Sequence, residues 1–185
     1  RDGSSDVCSS DLAGVTDVTK DRKNWLERKI VNIGFSRVRT IVIHHPDGET
    51  INISKPTAEA ETFKLDNMPP GKKLISQAQL DGLGQALNDF QLDDVSKDIT
   101  PFDAAATVTT DFTTFDGLAI KTMIAKQDGA YWLKVEASGT AGEAAEKAAA
   151  ITARTKGWTY RISEYAASEL TRRFKDLVED AKTGS

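Results

Sequence analysis

Two Asp-Gly pairs, Asp116-Gly117 and Asp128-Gly129, divide the stretch Ala104–Ala137 into three parts. Each pair stands between runs in which apolar and polar residues alternate. An Asp-Gly pair in this setting predicts a type I′ hairpin turn, because both central residues of that turn need a positive φ angle. We therefore predict three antiparallel strands joined by two tight turns, in a sheet with one face covered and one face at least partly wet.

A looser version of the same plan lies earlier in the chain. The run Val38–His45 is rich in β-branched residues, Pro46-Asp47-Gly48 predicts a turn, and Thr50–Ser54 predicts the returning strand. A short third strand is predicted over Thr62–Leu65, and the double proline after it forbids a continuing central strand. The segment Val95–Asp103 is predicted to connect the two groups of strands.

Helical patterns follow each group of strands. Ser76 and Gln79 have the form of a capping box, and Gly84 in the same helix would allow a close approach to a strand. The alanine-rich run after the second group strongly favours a helix. The predicted helices are Arg22–Asn32, a helix from Ser76 to about Asp89, Gly142–Lys156, and a last helix capped by Ser163.

Strand runs grouped apart from helices indicate an α+β fold with antiparallel sheets. We predict two βββα units, 13–100 and 101–185, with their helices packed on one face and an extra C-terminal helix. The first 12 residues resemble a translated sequencing adapter, so we treat them as an artefactual, disordered tail and expect the natural N-terminus to be missing. The only cysteine, Cys8, lies in this tail, so no disulfide is predicted.

Charge and hydropathy exclude some partners. The net charge of −4 gives no basic excess of the kind that nucleic-acid-binding domains carry. No apolar run reaches the roughly 18 residues of a membrane span. The sequence therefore predicts neither a nucleic-acid partner nor a transmembrane segment in this stretch of chain.

The sequence contains no motif that predicts catalytic, metal-binding or phosphate-binding chemistry. His44 and His45 are neighbours on a strand, so they point to opposite faces and cannot hold one metal ion together, and one of them is expected in solvent. Gly71-Lys72-Lys73 lacks the upstream glycine of a phosphate-binding loop. The carboxylates considered for acid–base catalysis are Asp93, Asp94, Asp111 and Asp116, of which Asp116 has a structural role in its turn. We predict no catalytic, cofactor-binding or metal-binding residue, no cofactor, and no enzyme activity.

Aromatic and charged residues near the third strand of the second group form a candidate interface. Trp132, Lys134 and Glu136 share one strand face, and Tyr160 follows on a possible later strand. Aromatic side chains on a wet sheet face can stack on a sugar ring or anchor a protein partner. The competing interpretation, which we favour for Trp132 and Trp158, is burial in the core, as is usual for large aromatic residues. The cluster Arg172-Arg173-Lys175 is most simply a solvated helix face.

An ordered set of short motifs resembles the bacterial proteins that carry domain of unknown function 4340. The motifs are Trp25-Leu26-Glu27-Arg28, the Pro-Asp-Gly hairpin, Phe63-x-Leu65, Pro70-Gly71, Leu80 with Leu87, Asp94-Val95, Phe115-Asp116-Gly117-Leu118, Tyr131-Trp132 and Gly157-Trp158-x-Tyr160. The resemblance covers residues 24 to 181 and would place the chain in the C-terminal part of such a protein. It implies repeated β-rich units and a membrane anchor upstream, and it carries over no catalytic residue.

The function that this resemblance implies is that of a non-catalytic domain on the outer side of the bacterial inner membrane. There it would be an accessory or scaffold of an ABC-type transport system, with a protein partner in that system. The residues also leave an alternative open, a ligand-binding module for a cell-envelope glycan or another small ligand. That alternative would use exposed aromatic residues such as Trp132.

Overall fold

The computed structural model describes residues 31, 33–88, 94–97, 103 and 106–182. They form an α+β fold with a large antiparallel sheet, which confirms the predicted fold class. The predicted tail and nearly all of the predicted helix Arg22–Asn32 lie outside the described residues. The strands are β1 Val38–His44, β2 Thr50–Ser54, β3 Lys64–Leu65, β4 Lys72–Leu74, β5 Asp94–Lys97, β6 Val108–Thr114, β7 Leu118–Gln127, β8 Ala130–Gly139, β9 Trp158–Ile162 and β10 Val178–Asp180.

Four α-helices lie within the described residues. A 3-10 turn over Phe35–Arg37 precedes β1. The helices are α1 Gln77–Gln85, α2 Gly142–Thr155, α3 Glu164–Leu170 and α4 Phe174–Leu177. Ser163 caps α3 as predicted, because its Oγ accepts a hydrogen bond of 3.1 Å from the Ala166 amide. Ser76 stands at the N-cap of α1 but its side chain makes no capping hydrogen bond, so the predicted capping box is wrong.

Eight strands form one sheet in the order β3-β2-β1-β6-β7-β8-β9-β5, and every neighbouring pair is antiparallel. The pairing of β1 with β6 joins the two predicted groups of strands edge to edge. The segment predicted as a connection instead supplies the edge strand β5, which pairs with β9. Strands β4 and β10 form a separate two-stranded sheet.

The two Asp-Gly pairs make different turns. Asp128 and Gly129 have φ angles of 52° and 79°, as the predicted type I′ turn requires. At the other hairpin only Gly117 has a positive φ, 90°, and its amide bonds to the Thr114 carbonyl at 3.3 Å. This is a type I turn followed by a left-handed glycine, so the type I′ prediction is wrong for Asp116-Gly117.

The core lies between one face of the eight-stranded sheet and the helices. Buried side chains from β1, β2, β6, β7, β8 and β9 meet buried residues of all four helices. Representative members are Ile41, Ile53, Phe112, Ile120, Leu133, Leu83, Ala148, Leu170 and Leu177. Burial of these apolar side chains is the dominant favourable term in folding.

One charged side chain is also inside. Lys55, which directly follows β2, is buried, and its Nζ donates to the Phe35 carbonyl at 2.9 Å. The same Nζ lies 4.3 Å from the centroid of the Phe35 ring. Burial lowers the pKa of Lys55, and the carbonyl and the ring offset part of the cost of removing this ammonium from water.

Candidate binding surfaces

The second face of the eight-stranded sheet carries no described helix. We call it the open face. Strand residues that point away from the helices are exposed or only partly buried on β1, β2, β6 and most of β7 and β8. Helices α3 and α4 lie on the opposite side, where the Thr110 hydroxyl donates to the Leu170 carbonyl at 2.8 Å. The prediction that helices pack on one face therefore holds for the described part of the chain.

Cross-strand registers define the composition of the open face. One row joins Val42, Asp111, Lys121 and Glu136, since directly paired residues of antiparallel strands share a face. The next row joins His44, Thr109, Met123 and Lys134, and a third joins Ala125, Trp132 and Arg161. The face is therefore a mixed surface, with apolar side chains among charged ones.

Three of the four predicted interface residues lie together on the open face. Trp132 and Lys134 are partly buried and Glu136 is exposed. Tyr160 lies instead on the helix face opposite Leu133, is only 2% exposed, and belongs to the core. Tyr160 therefore does not belong to the predicted interface, because the pleat of β9 turns its side chain away from Trp132.

The two tryptophans, Trp132 and Trp158, lie on opposite faces of the sheet. Trp158 packs against the core, as the favoured interpretation predicted. Trp132 is on the other side of the sheet and is not among the side chains packed against the core, so the core interpretation is wrong for it. Sequence alternation had already put Trp132 and Leu133 on opposite faces, and only the positions of the helices decide which face is covered.

The two histidines point to opposite faces, as predicted. His44 is half-exposed on the open face, where its Nε2 lies 3.4 Å from Oδ2 of Asp111. His45 is buried, with a side chain only 2% exposed, and its Nε2 lies 3.0 Å from the Arg172 carbonyl oxygen. That carbonyl needs a donor, so Nε2 carries a proton and Nδ1 has no partner among the described residues.

Of the carboxylates that sequence reasoning considered for catalysis, the two with described side chains, Asp111 and Asp116, do not share a pocket. Asp116 accepts from the Thr114 hydroxyl and pairs with Arg37, and these contacts hold the pKa of Asp116 below its usual range. Asp111 is partly buried beside His44 on the open face. Asp94 belongs to β5, and Asp93 lies outside the described residues. Each of the two described side chains has a local partner that orients it.

The arginines of the C-terminal segment are structural. Arg173 reaches the β1–β2 turn, where its Nη1 lies 2.6 Å from Oδ2 of Asp47 and 3.5 Å from Oε2 of Glu49. This contact holds the pKa of Asp47 below its usual range. Arg172 pairs with Glu169. The prediction of a solvated helix face is therefore wrong for Arg172 and Arg173, although Lys175 is exposed.

Two small cavities lie at the end of the sheet that carries the β7–β8 turn. One, of about 220 Å³, lies between that turn and the junction of β9 with α3; the other, of about 200 Å³, reaches His45 and Arg173. Both are lined by Lys126 and Tyr131, whose side chains contact each other, with Nζ 5.1 Å from the ring centroid. Sequence reasoning missed both cavities, because their walls come from segments that are distant along the chain.

Comparisons with known proteins give no relative. No family model matches the chain, no curated protein matches it, and no solved structure matches it. In the described ranges no helix is both long enough and apolar enough to cross a membrane. The same residues contain no group of three or more His, Cys, Asp or Glu side chains that could hold a metal ion.

Proposed function

We propose that this chain is a non-catalytic domain that binds a protein partner through its open face. The observation that carries the proposal is the one-sided sheet: the described helices cover one face, and the other presents Trp132 among polar and charged side chains. An aromatic anchor at the centre with a polar rim around it is the usual arrangement of a protein interface.

The partner that fits this face has an acidic docking surface. Lysines 64, 121 and 134 and Arg161 lie on the open face. Its carboxylates are Glu136, Asp111, which already pairs with His44, and Asp66, which accepts from the Ser54 hydroxyl; Asp94 stands opposite Arg161 in the register of β5 with β9. Lys121 and Lys134 form no ion pair with any described residue. A partner with surplus carboxylates would pair with these cations, so the affinity would fall as salt is added.

The hydrophobic centre of the interface would lie between β7 and β8. Met123 and Trp132 are diagonal neighbours across these two strands, and both are partly buried. Trp132→Ala is expected to weaken binding by about 2 kcal/mol, as for an aromatic anchor at the centre of an interface. Tyr165→Ala, on the helix side, is the control and is expected to leave the affinity unchanged.

We further propose that the partner belongs to an ABC-type membrane transport system and that the domain works on the outer side of the bacterial inner membrane. The support for this part is the resemblance to proteins with domain of unknown function 4340. We also infer an internal duplication of a βββα unit, supported by the two three-strand meanders, β1–β3 and β6–β8, that meet at the β1–β6 pair.

Site-specific photo-crosslinking in cells that carry the native gene tests the proposal. A benzophenone amino acid replaces Lys121 or Glu136, both exposed on the open face, or Glu146, exposed on α2, as the control. We expect both open-face positions, and not position 146, to crosslink to a subunit of a membrane transporter. Equal crosslinking from all three positions would contradict a specific interface, and crosslinks only to unrelated proteins would contradict the transport partner.

The alternative function, binding of a cell-envelope glycan, is favoured by one observation. Trp132 is partly exposed and stands in register with Arg161, so a ring for sugar stacking lies beside a cation for an acidic sugar. Titration with soluble envelope oligosaccharides would distinguish the two functions. Binding that is lost in Trp132→Ala, without any crosslink to protein, would favour the glycan.

A further inference from the structure

His44 lies on the open face between a carboxylate and a hydroxyl. Its Nε2 lies 3.4 Å from Oδ2 of Asp111, and its Nδ1 lies 3.5 Å from Oγ1 of Thr50. The side chains of His44 and Asp111 are 48% and 37% exposed, so water reaches both of them. The imidazole can therefore exchange a proton with solvent while it keeps its place on the strand.

The charge of this pair depends on whether the imidazole carries a second proton. The contact is an ion pair only when His44 is protonated, because a neutral imidazole leaves the Asp111 carboxylate with its full negative charge. Histidine is the side chain that ordinarily changes its charge between about pH 5 and 8, a range in which exposed carboxylates and lysines keep theirs. The open face therefore carries one more positive charge in mild acid than in mild alkali.

Neighbouring strands surround this pair with further charges. The register of β1 with β2 places Thr50, an uncharged residue, opposite the histidine. Across β6, Lys121 stands directly opposite Asp111, so the carboxylate lies beside one of the lysines that an acidic partner would contact. The charged side chains of the elements around the histidine are Asp111 on β6, Lys121 on β7, Lys134 and Glu136 on β8, and, in the β1–β2 turn, Asp47 and Glu49, which Arg173 holds.

We propose that mild acid strengthens the binding of an acidic partner to the open face, because protonation of His44 cancels the negative charge of Asp111. This inference rests on the function proposed above and adds its regulation. While His44 is neutral, the carboxylate of Asp111 repels the carboxylates of the partner, since like charges brought together at an interface oppose binding. A negative partner surface in turn favours the protonated imidazole, so association takes up a proton and the affinity rises as the pH falls.

Titration of the ¹⁵N-labelled chain with an oligoglutamate peptide, at low and constant ionic strength, tests this inference at about pH 8 and at about pH 6. We expect the amide signals of Thr109, Lys121 and Lys134 to shift at both pH values. The affinity is expected to be about two- to five-fold higher at the lower pH, the effect of one unit charge a few ångströms away in water.

Two variants separate His44 from other causes of a pH dependence. His44→Gln is expected to bind the peptide with one affinity at both pH values, although it keeps His45, the other histidine of the chain, on the helix face. Asp111→Asn is expected to bind more tightly than the parent at the higher pH, because the repelling charge is gone. Asp128→Asn, in the exposed β7–β8 turn, is the control for the loss of a carboxylate and is expected to match the parent.

The outcomes distinguish this inference from the function on which it rests. Equal affinity of the parent at both pH values, or a pH dependence that persists in His44→Gln, would overturn the inference and leave the proposed function intact. No peptide binding at either pH, together with no transporter crosslink from the positions of Lys121 and Glu136, would contradict the proposed function and this inference with it.

Discussion

Gly84 of α1 faces the ring of Phe63 with no room for a side chain between them. A β-carbon built on Gly84 would lie 2.8 Å from Cζ of Phe63 and 3.0 Å from Cδ2 of Phe35. The two rings are themselves edge to face, with centroids 5.1 Å apart. The helix backbone thus packs directly on this aromatic pair, which explains a glycine in the middle of a helix.

We expect Gly84→Ala to lower the free energy of unfolding by about 1–3 kcal/mol, the usual cost of overpacking a core. Gly82 is the matched control, since a β-carbon there would meet only Oε2 of Glu169, at 3.5 Å. Gly82→Ala is expected to raise the free energy of unfolding by about 0.5–1 kcal/mol, because alanine loses less backbone entropy in a helix. Urea titrations of both variants measure the difference, and equal destabilisation would contradict the packing explanation.

Asn67 hydrogen-bonds to the backbone at the outer edge of β2, in the part that the short strand β3 does not cover. Its Oδ1 accepts from the Asn52 amide at 3.0 Å, and its Nδ2 donates to the Thr50 carbonyl at 2.7 Å. Asn67→Ala is expected to cost about 1–2 kcal/mol of stability, because two backbone groups lose their partner, and to promote aggregation through the freed edge. Asn88→Ala, at an exposed position, should stay within about 0.5 kcal/mol of the parent. Thermal unfolding and light scattering measure the two effects, and matching results for the two variants would contradict this role.

The strands were predictable because apolar and polar residues alternate along them. Successive side chains of a strand point to opposite faces of the sheet, so this pattern is visible within each short segment. Strand β2 has the predicted bounds, and Trp132 and Leu133 were correctly separated onto two faces. The pairing of β1 with β6 and the edge position of β5 were not predictable, because register between distant strands is set by the whole core. The two cavities near the β7–β8 turn were missed for the same reason, because their walls come from segments that are distant along the chain.

Acid should weaken the contact between the β6–β7 turn and the 3-10 turn before β1. Asp116 has a lowered pKa because the Thr114 hydroxyl donates to it and Arg37 pairs with it. A lowered carboxylate pKa contributes stability above the ordinary value of 3.8, and this contribution is lost as pH falls below 3.8. At neutral pH the free energy of unfolding of Asp116→Asn is expected to be about 1 kcal/mol lower than that of the parent. Below pH 3.8 this difference is expected to shrink, because the parent then loses the contribution of its charged carboxylate.

Asp128→Asn is the control for the acid experiment. Asp128 has a φ of 52°, which asparagine adopts readily, and its side chain forms no ion pair with a described residue. Denaturant titrations of the parent and both variants from neutral to acid pH give the comparison. A stability difference between Asp116→Asn and the parent that stays constant down the whole pH range would contradict a role for the charged carboxylate.

Alkaline pH probes a buried titratable group of the sheet, Tyr160. Burial raises the pKa of Tyr160 to about 12, from an ordinary value of 10.0, and its hydroxyl donates to the Arg154 carbonyl at 3.3 Å. A raised pKa means that the stability tied to the neutral phenol is complete below pH 10.0 and is lost as pH rises towards 12. Tyr160→Phe is expected to cost about 1 kcal/mol at neutral pH, for the lost hydrogen bond, and to flatten the decline of stability between these two pH values. Tyr165→Phe, at a side chain that is 75% exposed, should reproduce the parent curve. The same slope in Tyr160→Phe as in the parent would show that the buried phenol is not the group that titrates.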